Sequence, residues 1–278
     1  SMLDRVLVER LNEKSDRILA ELKTIKDDWQ EVTYRTITAN FGFSTNKEAF
    51  VRLTEVLPLS RLKKVLHDSF KTEALMFGQA GFLEKIQDDY QRSLKTEFDF
   101  LSKKFQLLDP LVKAQWKFGK LRPANFPTVR LAQLSALLHH NPQLFSLLIH
   151  TEDLKELKKI LSVSVSGYWQ LHYDFKKESK RPIETMGANS FESLLINSVA
   201  PILSAYSKYT GEQKFMDRAV ELLESLKPER NRFTKKWDNL IDTSKNAFDS
   251  QAQIQLFKNY CLKRRCLQCN IGVDILNK

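Results

Sequence analysis

Apolar side chains spaced three, four and seven residues apart constrain this chain more than any other feature. Leu3, Leu7, Leu11, Ile18, Leu22 and Ile25 fall on one stripe of a helix of about six turns, because a helix completes a turn every 3.6 residues. The spacing continues through Trp29, Val32, Tyr34, Ile37 and Phe41, where Gly42 supplies a stop. Thr45 or Asn46 can then cap a helix through Phe50, Leu53 and Leu57 that ends before Pro58. Similar patterns place helices over 60–67, 72–82, 87–105, 128–140, 151–161 and 168–175. After a polar connector, Ser190 opens an apolar helix through Leu194, Val199, Ile202 and Tyr206, with a kink expected at Pro201. The one alternating stretch, Val163 to Ser166, is too short to build a sheet. The fold expected is all-α: an irregular multi-helix array of about a dozen helices in a single helical domain over 1–278.

Composition supports that reading. With 278 residues and 42% hydrophobic content the chain can bury a real core. Its 8 glycines are less than half the usual share of about 7%, which starves phosphate loops and tight hairpins. The run Phe77-Gly78-Gln79-Ala80-Gly81-Phe82 concentrates small residues where two backbones could approach closely. Three prolines and Gly119 between Pro110 and Pro127 suggest two lobes, 1–109 and 128–278, joined by the Pro-rich segment 110–127. No fixed-period repeat is present.

The formal charge is +10, and residues 227–278 hold eleven Lys and Arg against five Asp and Glu. An anionic partner follows from such an excess, whether nucleic acid or an acidic protein. Lys235, Lys236, Lys263, Arg264 and Arg265 are the first candidates for phosphate contact, among aromatics that include Phe233, Trp237 and Tyr260. Such interleaving suits nucleic-acid backbones; the plainer alternative for each patch is a solvated helix face beside core aromatics. Arg122 and Arg130 flank a rigid helix start, Leu121 to Arg130, whose backbone N–H groups could hold a phosphate. The alternative there is a buried loop anchor in which the arginines meet carboxylates. No hydrophobic stretch approaches a membrane span of about 20 residues, and no signal peptide is visible.

Three cysteines, Cys261, Cys266 and Cys269, close the chain in a C-x4-C-x2-C spacing, and there are no others. Three sulfurs could converge on zinc or an iron–sulfur cluster, with His172 as the candidate fourth ligand. Alternatively they are reduced thiols at a helix end, activated by Lys263 and Arg265. Clustered thiols favour a reducing cytoplasm. Paired acids such as Asp27-Asp28 and Asp88-Asp89 are consecutive and diverge by about 100° on a helix, as do His139 and His140. No HExxH, Walker or GxSxG motif occurs. The chain starts at Ser1-Met2 directly in a helical pattern, as a piece of a longer polypeptide would.

Phe77 to Phe82, the run Trp116 to Arg130, the stretch Asn246-Ala247-Phe248-Asp249-Ser250-Gln251-Ala252, and the closing cysteines with Asn270-Ile271-Gly272 read together. With them the chain resembles the carboxy-terminal part of a bacterial family, domain-of-unknown-function family 2851, over nearly its whole length. Full-length members are similar to restriction-endonuclease-like nucleases in an amino-terminal segment with a Gly-Pro-Asp-Phe phrase, which does not occur in this sequence. The resemblance implies a non-catalytic helical companion of that nuclease-like core, with the catalytic carboxylates outside this chain. The expected function is nucleic-acid binding through the basic carboxy-terminal surface. Alternatives are a scaffold for an acidic protein partner and, third, a cysteine-dependent enzyme.

Overall fold

Helix ends fall where the chain carries capping chemistry. Asp28 accepts hydrogen bonds from the backbone N–H groups of Gln30 and Glu31 at 2.9 and 3.0 Å, and Asp68, Asp88, Asp153 and Asn246 each satisfy a first turn in the same way. The computed structural model describes residues 2–238, 244–269 and 271–273. They begin with α1 (Met2–Thr24), α2 (Trp29–Phe41), α3 (Lys47–Val56), α4 (Leu59–Leu62), α5 (Ser69–Gln79) and α6 (Asp89–Phe105). Then come α7 (Pro127–His140), α8 (Leu144–His150), α9 (Leu154–Leu161), α10 (Gly167–Leu171) and the strands β1 (His172–Asp174) and β2 (Lys177–Glu178). Helices α11 (Ala188–Leu194), α12 (Ala200–Thr210), α13 (Gln213–Ser225), α14 (Thr234–Asp238) and α15 (Ala247–Leu256) complete the series. The protein is all-α apart from one antiparallel pair of very short strands.

Two expected helices are cut short for local reasons. The one over 60–67 is regular only through Leu62; Lys64 and Val65 then donate three residues back, to the Arg61 and Leu62 carbonyls at 3.3 and 2.8 Å, before Asp68 turns extended (φ −124, ψ 111) to cap α5. The one over 168–175 stops at Leu171: buried Asp174 accepts from the Phe175 N–H at 3.0 Å and from Lys177 Nζ at 3.0 Å, and Lys176 takes φ 59 to close a hairpin. At Pro201 the missing N–H shows itself one turn earlier, where Leu195–Val199 widens into a π turn between α11 and α12.

The chain divides into two compact units, residues 1–24 with 195–278 and residues 25–194. In the first, α1 lies along α12 and α15, and α13 covers α12. Leu7, Leu11, Ile18 and Leu22 supply the stripe of α1. Helix α15 is buried all round, including three glutamines. Gln251 accepts from Arg10 Nε at 2.6 Å and donates to Glu229 at 2.7 Å, while Gln255 donates to Glu13 at 2.9 Å. Interior amides are tolerated because their hydrogen-bonding groups find partners.

The core of the second unit is a stack of aromatics on α5. Phe77 lies flat on Trp169 at 4.6 Å and meets Phe175 edge-on at 5.5 Å. Glu73, 2% exposed, accepts from Tyr90 Oη at 2.6 Å and from Trp169 Nε1 at 2.9 Å. Gly78 lets α6 approach, since a Cβ there would sit 2.1 Å from the Phe98 ring. The segment 110–127, read from sequence as a joint between lobes, lies inside this unit and is clamped to it. Asn46 donates to the Lys117 carbonyl at 2.9 Å and accepts from the Lys117 N–H at 2.7 Å. Trp116 is buried against Phe50 and Phe82 and donates to the Ala80 carbonyl at 2.8 Å. Proline-rich spacing marks irregular backbone, but its side chains decide whether that backbone is free.

Candidate functional site

In the first unit a basic surface is assembled around two phenylalanines. Asn231 starts the arrangement: its Oδ1 accepts from the N–H groups of Phe233 and Thr234 at 2.8 and 3.1 Å, which fixes the entry to α14. Trp237 then ties α14 to α15 by donating to the Gln253 carbonyl at 3.2 Å. The result brings Phe233 to 5.4 Å from Phe257. Arg232 and Lys258 lie over the Phe233 ring at 4.7 and 5.0 Å, and Lys236 lies over the Phe257 ring at 4.8 Å.

Arg10 and Arg17 of α1 join this field. Burial pushes the Lys258 ammonium below its usual range, and the nearby positive charges of Arg10, Arg232 and Arg17 add to that push against the opposing pull of Glu229. Burial likewise lowers Arg10, opposed by Glu229 and Glu13. Sequence reading singled out Lys236 but missed Phe257, Arg10 and Arg17. Arg10 and Arg17 come from the opposite end of the chain, and no local pattern ties them to α14.

Lys235 is exposed on α14, one step around the helix from Lys236. Lys263, Arg264 and Arg265 are exposed in the turn after a π-helical stretch, Phe257–Cys261, with Arg264 at φ 54. That stretch is anchored by Tyr260, which donates to Glu9 at 2.7 Å, and by Asn259, which donates to Glu13 at 2.6 Å. Among the described residues none of Lys235, Lys236, Lys263, Arg264 and Arg265 forms an ion pair. Arg122, in the second unit, is exposed as well.

Cys261 and Cys266 are exposed and Cys269 is buried. The Cys261 thiol is raised above its ordinary value by burial first, and then by the neighbouring Cys269 and Cys266. Lys263 and Arg265, the basic residues that could activate these thiols, are not among the causes of the Cys261 shift. The alkylation rate of Cys261, followed by peptide mass spectrometry, is expected to keep climbing past pH 8.5, about the value for a free thiol. A plateau below neutrality would contradict this. Among the described residues no group of three or more His, Cys, Asp and Glu side chains is arranged to hold a metal ion. His172 belongs to the second unit, where its ring stacks on Tyr168 at 4.0 Å and its Nδ1 meets the Tyr168 carbonyl at 2.9 Å.

Arg130 is placed differently from the other candidates. It is 4% exposed, in the first turns of α7 beside a cavity of about 380 Å³. Its guanidinium donates to Gln133 Oε1 at 2.9 Å, Asn125 Oδ1 at 2.6 Å and Ser190 Oγ at 2.9 Å, and the Phe43 ring covers it at 4.6 Å. Nε has no partner. Burial alone pushes its pKa down to about 10, so it stays charged at neutral pH. Among the described residues it forms no ion pair with a carboxylate, the partner expected of a buried loop anchor.

Helical layers in two units, a cation–aromatic surface in one and a buried arginine beside a cavity in the other describe an all-α protein. The chain belongs to the family described as Protein of unknown function (DUF2851), whose family model matches residues 1–232. That stretch takes in the Arg130 cavity and Arg232, while Phe233, Lys236, Phe257, Lys258 and the cysteines follow it. No curated protein and no solved structure matches the chain.

Proposed function

We propose that this chain is a non-catalytic helical domain that binds nucleic acid, as the accessory partner of a nuclease-like core carried on an amino-terminal segment. The observation that carries the reading is the Phe233–Phe257 pair crowned by Arg232, Lys236 and Lys258. Exposed cations attract phosphates and release counterions, while aromatic faces accept unpaired bases without regard to sequence. Lys235, Lys263, Arg264 and Arg265 extend the positive field along the same terminal segment, and Arg122 is a secondary contact. Zinc or an iron–sulfur cluster on Cys261, Cys266 and Cys269 would brace the tail, and metal analysis of the untagged protein decides that point. A reducing cytoplasm suits three free thiols. Among the described residues no helix is long and apolar enough to cross a membrane.

Fluorescence anisotropy with single-stranded and duplex DNA across a salt series tests the reading. Affinity is expected to fall linearly on a log–log plot, with a slope of about −0.7 per phosphate neutralised on single strands. Lys236→Ala and Lys258→Ala should each remove roughly one such contact. Phe257→Ala should weaken single-strand binding by about 1–3 kcal/mol. Absence of binding at about 50 mM salt would overturn the reading in favour of a scaffold for an acidic protein, since nucleic-acid contacts of this type are strongest at low salt.

A further inference from the structure

We infer that the cavity beside Arg130 is a binding site for a small organic oxyanion, a carboxylate or phosphate monoester whose charged head meets the guanidinium and whose body lies on the aromatic wall. The site is distinct from the basic surface of the first unit, since every residue that lines it falls within 25–194.

The charge distribution is the first ground. Among the described residues Arg130 is the one charged side chain on the cavity walls, which are otherwise formed by neutral polar groups such as Ser44, Asn125 and Ser190 and by apolar ones such as Phe50 and Leu121. A buried cation without a counter-ion is strongly disfavoured relative to a paired one. Asn125, Gln133 and Ser190 hold the guanidinium in place through neutral oxygens, which orient it without cancelling its charge. Guanidinium is the group of choice for planar recognition of carboxylate and phosphate.

A helix start supplies a second ground. Phe126, which precedes α7, gives no side-chain bond to its first turn, that turn carries no acidic residue, and Pro127 lines the cavity. A positive helix end left without an acidic or hydroxyl cap adds to the attraction for an anion. Phe43, which covers the guanidinium, holds φ 47. A left-handed backbone at a bulky residue is uncommon outside constrained sites. At about 380 Å³ the cavity also falls within the range of small-molecule sites.

Phenyl phosphate and benzoate are suitable probes because they share one ring and differ in the head, with benzyl alcohol as the neutral control. Titration calorimetry on the full chain is expected to show binding of at least one anion, a difference between the two identifying the preferred head, and none of the alcohol. Arg130→Gln should weaken it about tenfold or more, the loss that follows from removing a charge-assisted hydrogen bond. Lys236→Ala and Lys258→Ala should leave it unchanged. Because Arg130→Gln risks unfolding the unit, Ser44→Phe, which fills the exposed rim and leaves Arg130 intact, provides the second arm: a folded Ser44→Phe protein should lose binding. No heat from either anion at about 10 mM, or undiminished binding in folded Ser44→Phe, overturns the proposal.

Discussion

Replacing Gly81 with alanine is expected to destabilise the second unit by about 3–5 kcal/mol, near the upper end for a single substitution. Gly81 ends α5 at φ 77, and its N–H donates to the Gly78 carbonyl at 2.9 Å while the Phe82 N–H reaches back to the Phe77 carbonyl at 3.0 Å. This is the glycine-dependent way of closing a helix. Any other L residue there carries a left-handed penalty of about 1–2 kcal/mol. The larger effect is steric. An added Cβ would lie 1.9 Å from the Leu111 carbonyl oxygen, so the strand of chain that runs to Trp116 would have to lift. Its bond from the Leu111 N–H to the Gln79 carbonyl, 2.8 Å, would go with it. Urea unfolding followed by fluorescence reports the change through buried Trp116 and Trp169. Gly119→Ala is the control: nothing lies within 4 Å of its added Cβ, and its effect should stay within about 0.5 kcal/mol. Equal midpoints for the two variants would refute the clamp between α5 and the 110–127 segment.

The second large effect is expected at Glu73. Removing its carboxylate in Glu73→Ala takes the acceptor from Trp169 Nε1, on a fully buried ring, and from Tyr90 Oη. A buried donor left without its acceptor costs about 1–3 kcal/mol, so losing the acceptor of both Trp169 and Tyr90 should cost about 3 kcal/mol or more. Burial raises the Glu73 carboxyl above the ordinary glutamate range, partly offset by the bonds it accepts from Tyr90 and Trp169.

The folded protein therefore retains a proton that the unfolded chain has released at about pH 4.3. This contribution to stability is fully present below that pH and is lost as pH rises through the higher folded value. Glu73→Gln, which is neutral at every pH, should flatten that slope while retaining most of the bonding. A slope identical to that of the unaltered protein would show that Glu73 is ionised in the same way in both states.

Membership of the family was legible from phrases within its match to residues 1–232, while the stretch from Asn246 and the closing cysteines lie beyond that match. Gly78 and Gly81 permit the close approach of α6 and of the chain at Leu111. Asn246 caps α15 by accepting from Asp249, and Gln251 is the interior amide that links Arg10 to Glu229. Arg130 was named, but its setting was not readable: Asn125 and Gln133 are close in sequence, whereas Ser190 and Phe43 come from remote segments. The cysteine cluster was found by spacing alone, and spacing carried no information about the partial loss of hydration and the neighbouring thiols that raise Cys261.

The order of apolar residues, with the caps and stops beside them, determined most of the helices, though not the ends of α4 and α10. A helix is a local object whose period, caps and stops lie within a few residues, as Asp28, Gly42, Asp153 and Gly211 show. Only tertiary structure decided that 110–127 is a clamped strap, that α1 shares a unit with the last helices, and that Arg130 is enclosed without an acid while Arg232, Lys236 and Lys258 gather over two rings. Those outcomes depend on burial and on charges brought together from distant positions, and both are set by how helices cover one another.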